Sequence, residues 1–200
     1  HPVKIITTAE GGLATTQNKK LAKSMDLARS HGITRDPMLY EDPSQGSWYY
    51  EQITLGFNYR MTELQAALGL SQMKRLKEIV DRRTALAARY DKLLANLPVQ
   101  RPIQAPSTGS SWHLYVIQVP QNHHSQIFDY LKRAGIGVNI HYIPIHRHPY
   151  YRSMGFKLGQ FPNAESYYSK SISIPLYFGL TEKDQDKVCA TLKQCLLRIT

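Results

Sequence analysis

Residues 56–67 read Gly56-Phe57-Asn58-Tyr59-Arg60-Met61-Thr62-Glu63-Leu64-Gln65-Ala66-Ala67. Within this stretch Thr62-Glu63-Leu64-Gln65 has the form of a capping box. A Thr side chain accepts from the N3 amide while the Gln reaches back to the cap. A helix therefore starts here. Leu64, Ala67, Leu68, Leu76, Ile79, Val80, Leu86, Tyr90, Leu93 and Leu97 supply its apolar face, and Pro98 stops it. About 35 residues would span ~50 Å if unbroken, enough to cross between two domains. A break is expected near Gly69 to Ser71.

Upstream of this helix, Ile5, Ile6 and Thr7-Thr8 favour extended backbone and Gly11-Gly12 punctuates, so residues 1–16 predict a strand, a turn and a strand. Leu21, Met25 and Ala28 recur at helical spacing, and His31-Gly32 closes a helix over 18–30. Residues 33–57 are irregular, broken by Pro37, Pro43 and Gly46, with an aromatic cluster at Trp48-Tyr49-Tyr50. Such a loop is usually functional or covered by a partner. Its aromatics could anchor core, substrate or a second subunit, and the subunit contact is the reading preferred.

Downstream, residues 99–111 are rich in Pro, Ser and Gly and read as a linker. An alternating strand is expected over Trp112 to Val119, a helix over Ser125 to Ala134 and a strand over Val138 to Tyr142. A Pro- and aromatic-rich loop follows at 143–163. A short helix near 164–170, a strand over Ser171 to Leu176 and a last helix from Thr181 complete the chain. This alternation predicts a small α+β domain with helices on one face of a short sheet.

Composition bounds the function. The 200 residues are 42% hydrophobic and 20% charged, an ordinary globular balance, and no apolar run approaches the ~18 residues of a membrane helix. His1-Pro2-Val3-Lys4 lacks the charged-then-apolar pattern of a secretory leader. Cys189 and Cys195 are the two cysteines. Six residues apart on a helix, they point roughly 240° apart and cannot bridge within it. A reducing cytoplasm is the expected setting. The net charge of +10 attracts polyanions, among them nucleic acid, phosphorylated ligands and anionic membranes. The basic residues are spread out, with short clusters at Lys19-Lys20 and Arg82-Arg83, and no nucleic-acid-binding motif accompanies them. A basic nucleic-acid-binding module therefore rests on charge alone.

Three places concentrate chemistry. Lys4 reads on composition as a surface lysine; burial would lower its pKa and fit it for covalent work on a carbonyl. Asn58 and Arg60 stand at the N-terminal edge of the capped helix, where amides and dipole favour a phosphate. Local spacing alone favours the plainer reading, a structural Asn turn and a surface Arg. Asn139-Ile140-His141-Tyr142 would put Asn139 and His141 on one face of a strand. His141, His146 and His148 suggest metal, but no carboxylate lies among them, and a solvated loop or a hydrogen-bonding ligand face is preferred to a metal site.

In order along the chain come His1-Pro2-Val3-Lys4, Thr7-Thr8-Ala9-Glu10-Gly11-Gly12, Arg29-Ser30-His31-Gly32, the 56–67 stretch, His141-Tyr142-Ile143-Pro144-Ile145-His146 and Ser173-Ile174-Pro175-Leu176-Tyr177. Together they resemble the DegT/DnrJ/EryC1/StrS sugar aminotransferases, enzymes of the pyridoxal-phosphate (PLP) fold type I. The resemblance covers essentially the whole chain. It implies an α/β chain that is the C-terminal part of that fold. Residues 1–75 would end the large cofactor domain, 76–111 would form a linking helix and linker, and 112–200 would form the small α+β domain. Most of the cofactor domain would then lie upstream of His1.

The resemblance also implies roles. Lys4 resembles the family's Schiff-base lysine, bound to PLP and moving the proton. Related dehydratases carry His there, so Lys4 points to transamination. Asn58 resembles the asparagine that reaches into the neighbouring subunit's site near cofactor phosphate and substrate, with Arg60 in support. Asn139, Ile140, His141 and Tyr142 resemble the strand that contacts the nucleotide sugar, and His146 is a further sugar contact. A homodimer with shared sites follows by the same resemblance.

Within the family, Ser30 to Pro37, Trp48-Tyr49-Tyr50 and the Asn58 motif look most like the pseudaminic acid branch. That branch aminates C4 of a UDP-linked 4-keto-6-deoxy sugar with L-glutamate as donor. Alternatives are an aminotransferase for another nucleotide-linked keto sugar and a non-catalytic fragment of such an enzyme. Phe178 stands where the family often has proline, which bears only on the local turn.

Overall fold

The computed structural model describes residues 3–42 and 46–199. His1 and Pro2 of the first motif, and Pro43 of the irregular loop, lie outside them. The chain divides into two compact units, 1–74 and 75–200.

In the first unit, residues 3–6 and 9–10 form turns and bends, the rest of 3–16 is irregular, and the expected strand–turn–strand is not present among these described residues. Thr7 and Thr8 satisfy local backbone instead: Thr7 Oγ1 accepts from the Ala9 amide and the Thr8 hydroxyl donates to the Glu10 carbonyl. These side-chain bonds compete with a ladder, as threonine and serine do in turns. Helix α1 spans Lys19–Arg29, with the Asn18 side chain capping the Leu21 amide. It closes with His31 and Gly32 at positive φ and the Gly32 amide on the Leu27 carbonyl. A Cβ on Gly32 would meet the Thr54 carbonyl oxygen at 1.9 Å, so position 32 takes only glycine. Strand β1 (Ile33–Thr34) pairs antiparallel with β2 (Glu51–Gln52) within what the sequence leaves as irregular loop.

Helix α2 spans Glu63–Lys74 and begins at the expected capping box. The Gln65 amide donates to Thr62 Oγ1 at 3.3 Å, and the Thr62 amide donates to Gln65 Oε1 at 3.0 Å. The helix breaks at Arg75, not near Gly69 to Ser71. Gly69 stays helical and serves packing: a Cβ there would lie 2.8 Å from Thr8 Cγ2. Leu64, Leu68, Leu70 and Met73 remain exposed. Among the described residues of this unit, Gly32 and Thr34 alone are buried. An element with an apolar face needs another layer to cover it, so this unit carries almost no interior of its own.

The second unit has a core. Helix α3 (Leu76–Leu93) buries Ile79, Arg83, Leu86, Ala87 and Tyr90 within it. The 76–111 stretch, expected as linking helix and linker, falls within this unit. Strand β3 (Tyr115–Gln118) runs antiparallel to β4 (Ser171–Ile174), with Tyr115 opposite Ile174 and Gln118 opposite Ser171. β3 starts later than expected because Trp112 adopts φ +50°. Single bridges extend the pair on both sides, Gln100 to Gln118 and Asn139 to Ser173. The expected 138–142 strand therefore reduces to one bridge. Helices α4 (His124–Arg133) and α7 (Glu182–Ile199) pack on each other. Between β4 and the earlier helix lie two short helices, α5 (Pro149–Ser153) and α6 (Pro162–Tyr168).

Tyr90, Tyr115, Ile117, Ile127, Leu131, Ile172, Leu192 and Cys195 are fully buried in one cluster. Both cysteines are free, and burial pushes the Cys189 thiol up to about 11. Arg83 is a buried cation whose Nη1 donates to the carbonyls of Trp112, His113 and Leu176 at 2.9, 3.3 and 3.0 Å. That desolvation lowers its pKa. The units also differ in charge. Residues 1–74 hold 8 Lys and Arg against 7 Asp and Glu; residues 75–200 hold 17 against 8, so the excess sits in the second unit. Leu131→Ala should cost about 2–5 kcal/mol through the cavity it leaves, read as a lower urea midpoint.

Candidate active site

Residues 57–59 are pinned to the end of α1 by backbone. The Phe57 amide donates to Ala28, the His31 amide to Phe57 and the Tyr59 amide to Arg29, at 2.6, 2.7 and 2.8 Å. Alternation along this extended run puts Phe57 and Tyr59 on one side, their rings stacked at 4.9 Å and nearly parallel. Asn58 is exposed between them, bridged to Ser30 through the backbone. Arg60 is exposed and lines an open groove of ≈ 1270 Å³ formed by residues 10–16, α1 and residues 57–65. Lys4 is exposed in a turn of the same unit and is not among the groove's lining residues.

The start of α2 does not offer the expected phosphate seat. Its N3 amide is taken by Thr62, and Glu63 puts a negative charge in the first turn. The Gln65 amide group also donates to the Glu10 carbonyl at 3.0 Å, tying the 7–12 segment to the cap. An anion near Arg60 would rest on side chains. An amine such as Lys4 suits a carbonyl, and a carboxamide and a guanidinium such as Asn58 and Arg60 suit phosphate oxygens; all three are exposed, and within this unit Lys4 is not gathered with the other two.

The remaining expected residues lie in the second unit. Asn139 exchanges backbone hydrogen bonds with Ser173, at 3.2 and 2.8 Å. The Ile140 amide donates to Asn139 Oδ1 at 2.8 Å, which turns the Asn139 amino group toward His141 Nε2, 3.4 Å away. That nitrogen therefore accepts, and His141 Nδ1 carries the proton and donates to Ser173 Oγ at 2.7 Å. Ile140 is half-buried and Tyr142 is 68% exposed, with its ring edge-on to His141. His146 is buried rather than open to a ligand. Its Nε2 donates to Glu165 Oε1 at 2.8 Å, and its ring packs on Phe161. The Gly159 amide and then the His146 ring hold the Glu165 carboxyl below the usual carboxylate range.

Ser173 as the holder of His141, and Glu165 as the partner of His146, are absent from the sequence reading. For Glu165 a signal existed: it is the single acidic residue between Asp129 and Glu182. For Ser173 the pairing depends on strand register, which the sequence does not print.

Residues 1–193 match the DegT/DnrJ/EryC1/StrS aminotransferase family. The chain belongs to that family. Among relatives, protein MJ1066 of Methanocaldococcus jannaschii is 37% identical over 200 residues, 97% of this chain and 52% of its own. The spore coat polysaccharide biosynthesis protein SpsC of Bacillus subtilis is 36% identical over 96% of this chain and 51% of its own. Among solved structures, Helicobacter pylori PseC, an aminotransferase in pseudaminic acid biosynthesis, superposes with TM-score 0.86 at 29% identity, covering 99% of this chain and 52% of PseC. Streptococcus pneumoniae Spr1654 in its PMP form gives 0.85 at 28%, over 100% and 52%. The chain thus spans about half the length of the family members it matches, and it is α/β over the half it shares with their fold.

Ser173→Ala should leave the 139–173 backbone pairing and cost about 0.5–1.5 kcal/mol for one lost hydrogen bond. Its sharper mark is in ¹⁵N NMR of the His141 ring, where the variant shifts the Nδ1 signal that Ser173 contacts while Nε2 still accepts from Asn139.

Proposed function

We propose that this chain works as part of a PLP-dependent aminotransferase that aminates C4 of a UDP-linked 4-keto-6-deoxy sugar, with L-glutamate as amino donor. This is the activity of a UDP-4-amino-4,6-dideoxy-N-acetyl-β-L-altrosamine transaminase in pseudaminic acid biosynthesis. The observation that carries the reading is the family match over residues 1–193 with an exposed lysine at position 4. Likeness to PseC supports the substrate class.

When bound, PLP supplies the electron sink that stabilises negative charge at the amino-bearing carbon. Lys4 would provide the amine that holds the cofactor's carbonyl carbon, and its Nζ, when free, would serve as the base that carries a proton between the two carbons. Asn58 and Arg60 donate to phosphate or sugar oxygens, and they act across a homodimer whose two sites are shared. Residues 1–74 close the cofactor domain, and the exposed apolar side chains Leu64, Leu68, Leu70 and Met73 are the face on which the rest of the protein packs. Asn139, Ile140, His141 and Tyr142 face the nucleotide sugar. Among the described residues no helix is long and apolar enough to cross a membrane. A cytoplasmic site of action fits the free thiols.

Borohydride reduction of the PLP-loaded protein should place the phosphopyridoxyl label on Lys4, read by peptide mass mapping. Lys4→Ala should lose that label and lower 2-oxoglutarate release from glutamate at least about 10³-fold, the scale of removing a covalent catalyst. Label scattered over other lysines, or turnover retained in the variant, overturns the assignment.

A further inference from the structure

Between Asp129 and Glu182 the chain carries six Lys and Arg and three His, but Glu165 is its one carboxylate. That carboxylate is not spent on a surface cation. Its Oε1 accepts from the buried His146 ring at 2.8 Å and from the Gly159 amide at 2.7 Å. The next residue after His146 is held by the same helix: the Arg147 guanidinium lies 4.9 Å from the centre of the Tyr168 ring, at the end of α6. Helix α6 therefore fixes the downstream end of the 139–147 segment twice, while Ser173 fixes its upstream end through Asn139 and His141. Between the two anchors Tyr142, Ile143 and Ile145 stand exposed as an arch.

We infer that Glu165 is a positioning residue for sugar recognition, acting through His146 to hold the 139–146 arch in the shape that receives the substrate. The inference rests on the reading above, that Asn139 to Tyr142 face the nucleotide sugar. Ordering a loop before binding removes an entropic cost that would otherwise weaken affinity. Glu165 touches neither cofactor nor reacting carbon in this scheme, so its loss weakens capture of the sugar and leaves the chemistry with glutamate alone.

The test uses the PLP-loaded protein with glutamate and a UDP-linked 4-keto-6-deoxy-N-acetylhexose. Glu165→Ala should raise KM for the sugar about tenfold, the scale of one charge-assisted hydrogen bond. It should leave kcat within about twofold and the glutamate half-reaction, followed by cofactor absorbance, unchanged. Glu165→Gln, which keeps an acceptor oxygen for both donors, should restore most of the affinity. His146→Phe keeps the ring packing on Phe161 but cannot donate, and it should reproduce the Glu165→Ala effect if that variant folds poorly. The double variant should be no worse than either single one, because both break the same contact. A sugar KM unmoved by both single variants, equal losses in both half-reactions, or multiplied losses in the double variant would overturn the inference. A wild-type protein that completes the glutamate half-reaction and ignores this sugar overturns the substrate reading instead.

Discussion

The antiparallel register of β3 on β4 governs the second unit. Four residues on each side are paired, and all four of Ser171, Ile172, Ser173 and Ile174 are buried. Burial on both faces means that a slip of one residue would exchange the isoleucines with the serines, turning hydroxyls into the apolar cluster. The register is therefore fixed by the core. Its consequence at the site is specific: Ser173 faces Asn139 and meets the His141 ring. The apolar packing that stabilises the domain also sets which hydroxyl orients which histidine.

The first unit is organised differently. Its order comes from polar contacts: the Asn18 cap and the Thr62–Gln65 box at short range, and the three backbone bonds that hold residues 57–59 on the end of α1 from some thirty residues away. Glu51 does the same for the 33–57 loop, where its carboxylate accepts from the Glu41 and Asp42 amides and the Tyr49 hydroxyl. Such contacts fix local shape without needing an interior. That explains how a unit with two buried described residues still presents Asn58 and Arg60 in a defined way.

Legibility followed the range of the interaction. The capping box, the Lys19–Arg29 helix and helices α3, α4, α6 and α7 depend on residues three or four apart, and the sequence shows them; α5 falls within what the sequence reads as loop. The strands over 1–16 were misread because Thr7 and Thr8 spend their hydroxyls on neighbouring backbone. The helix break expected near Gly69 to Ser71 falls at Arg75 instead, because the missing side chain of Gly69 makes room for Thr8. The resemblance makes His146 a sugar contact; its Glu165 partner, 19 residues on, is a pairing that the local sequence does not show. Family resemblance supplied the fold, since it draws on many positions at once; the holders of the site residues lie at long range and came only from coordinates.

Arg83 links regions that would otherwise be independent. Its guanidinium sits on carbonyls just before β3 and just after β4, and those strands are separated by more than fifty residues of chain. Peeling either strand away would strand a desolvated cation, so partial opening is costly compared with opening everything. Slow amide exchange in β3 and β4 should then share a single protection level with α3, and the arch that carries Asn139 and His141 inherits a base that does not breathe separately.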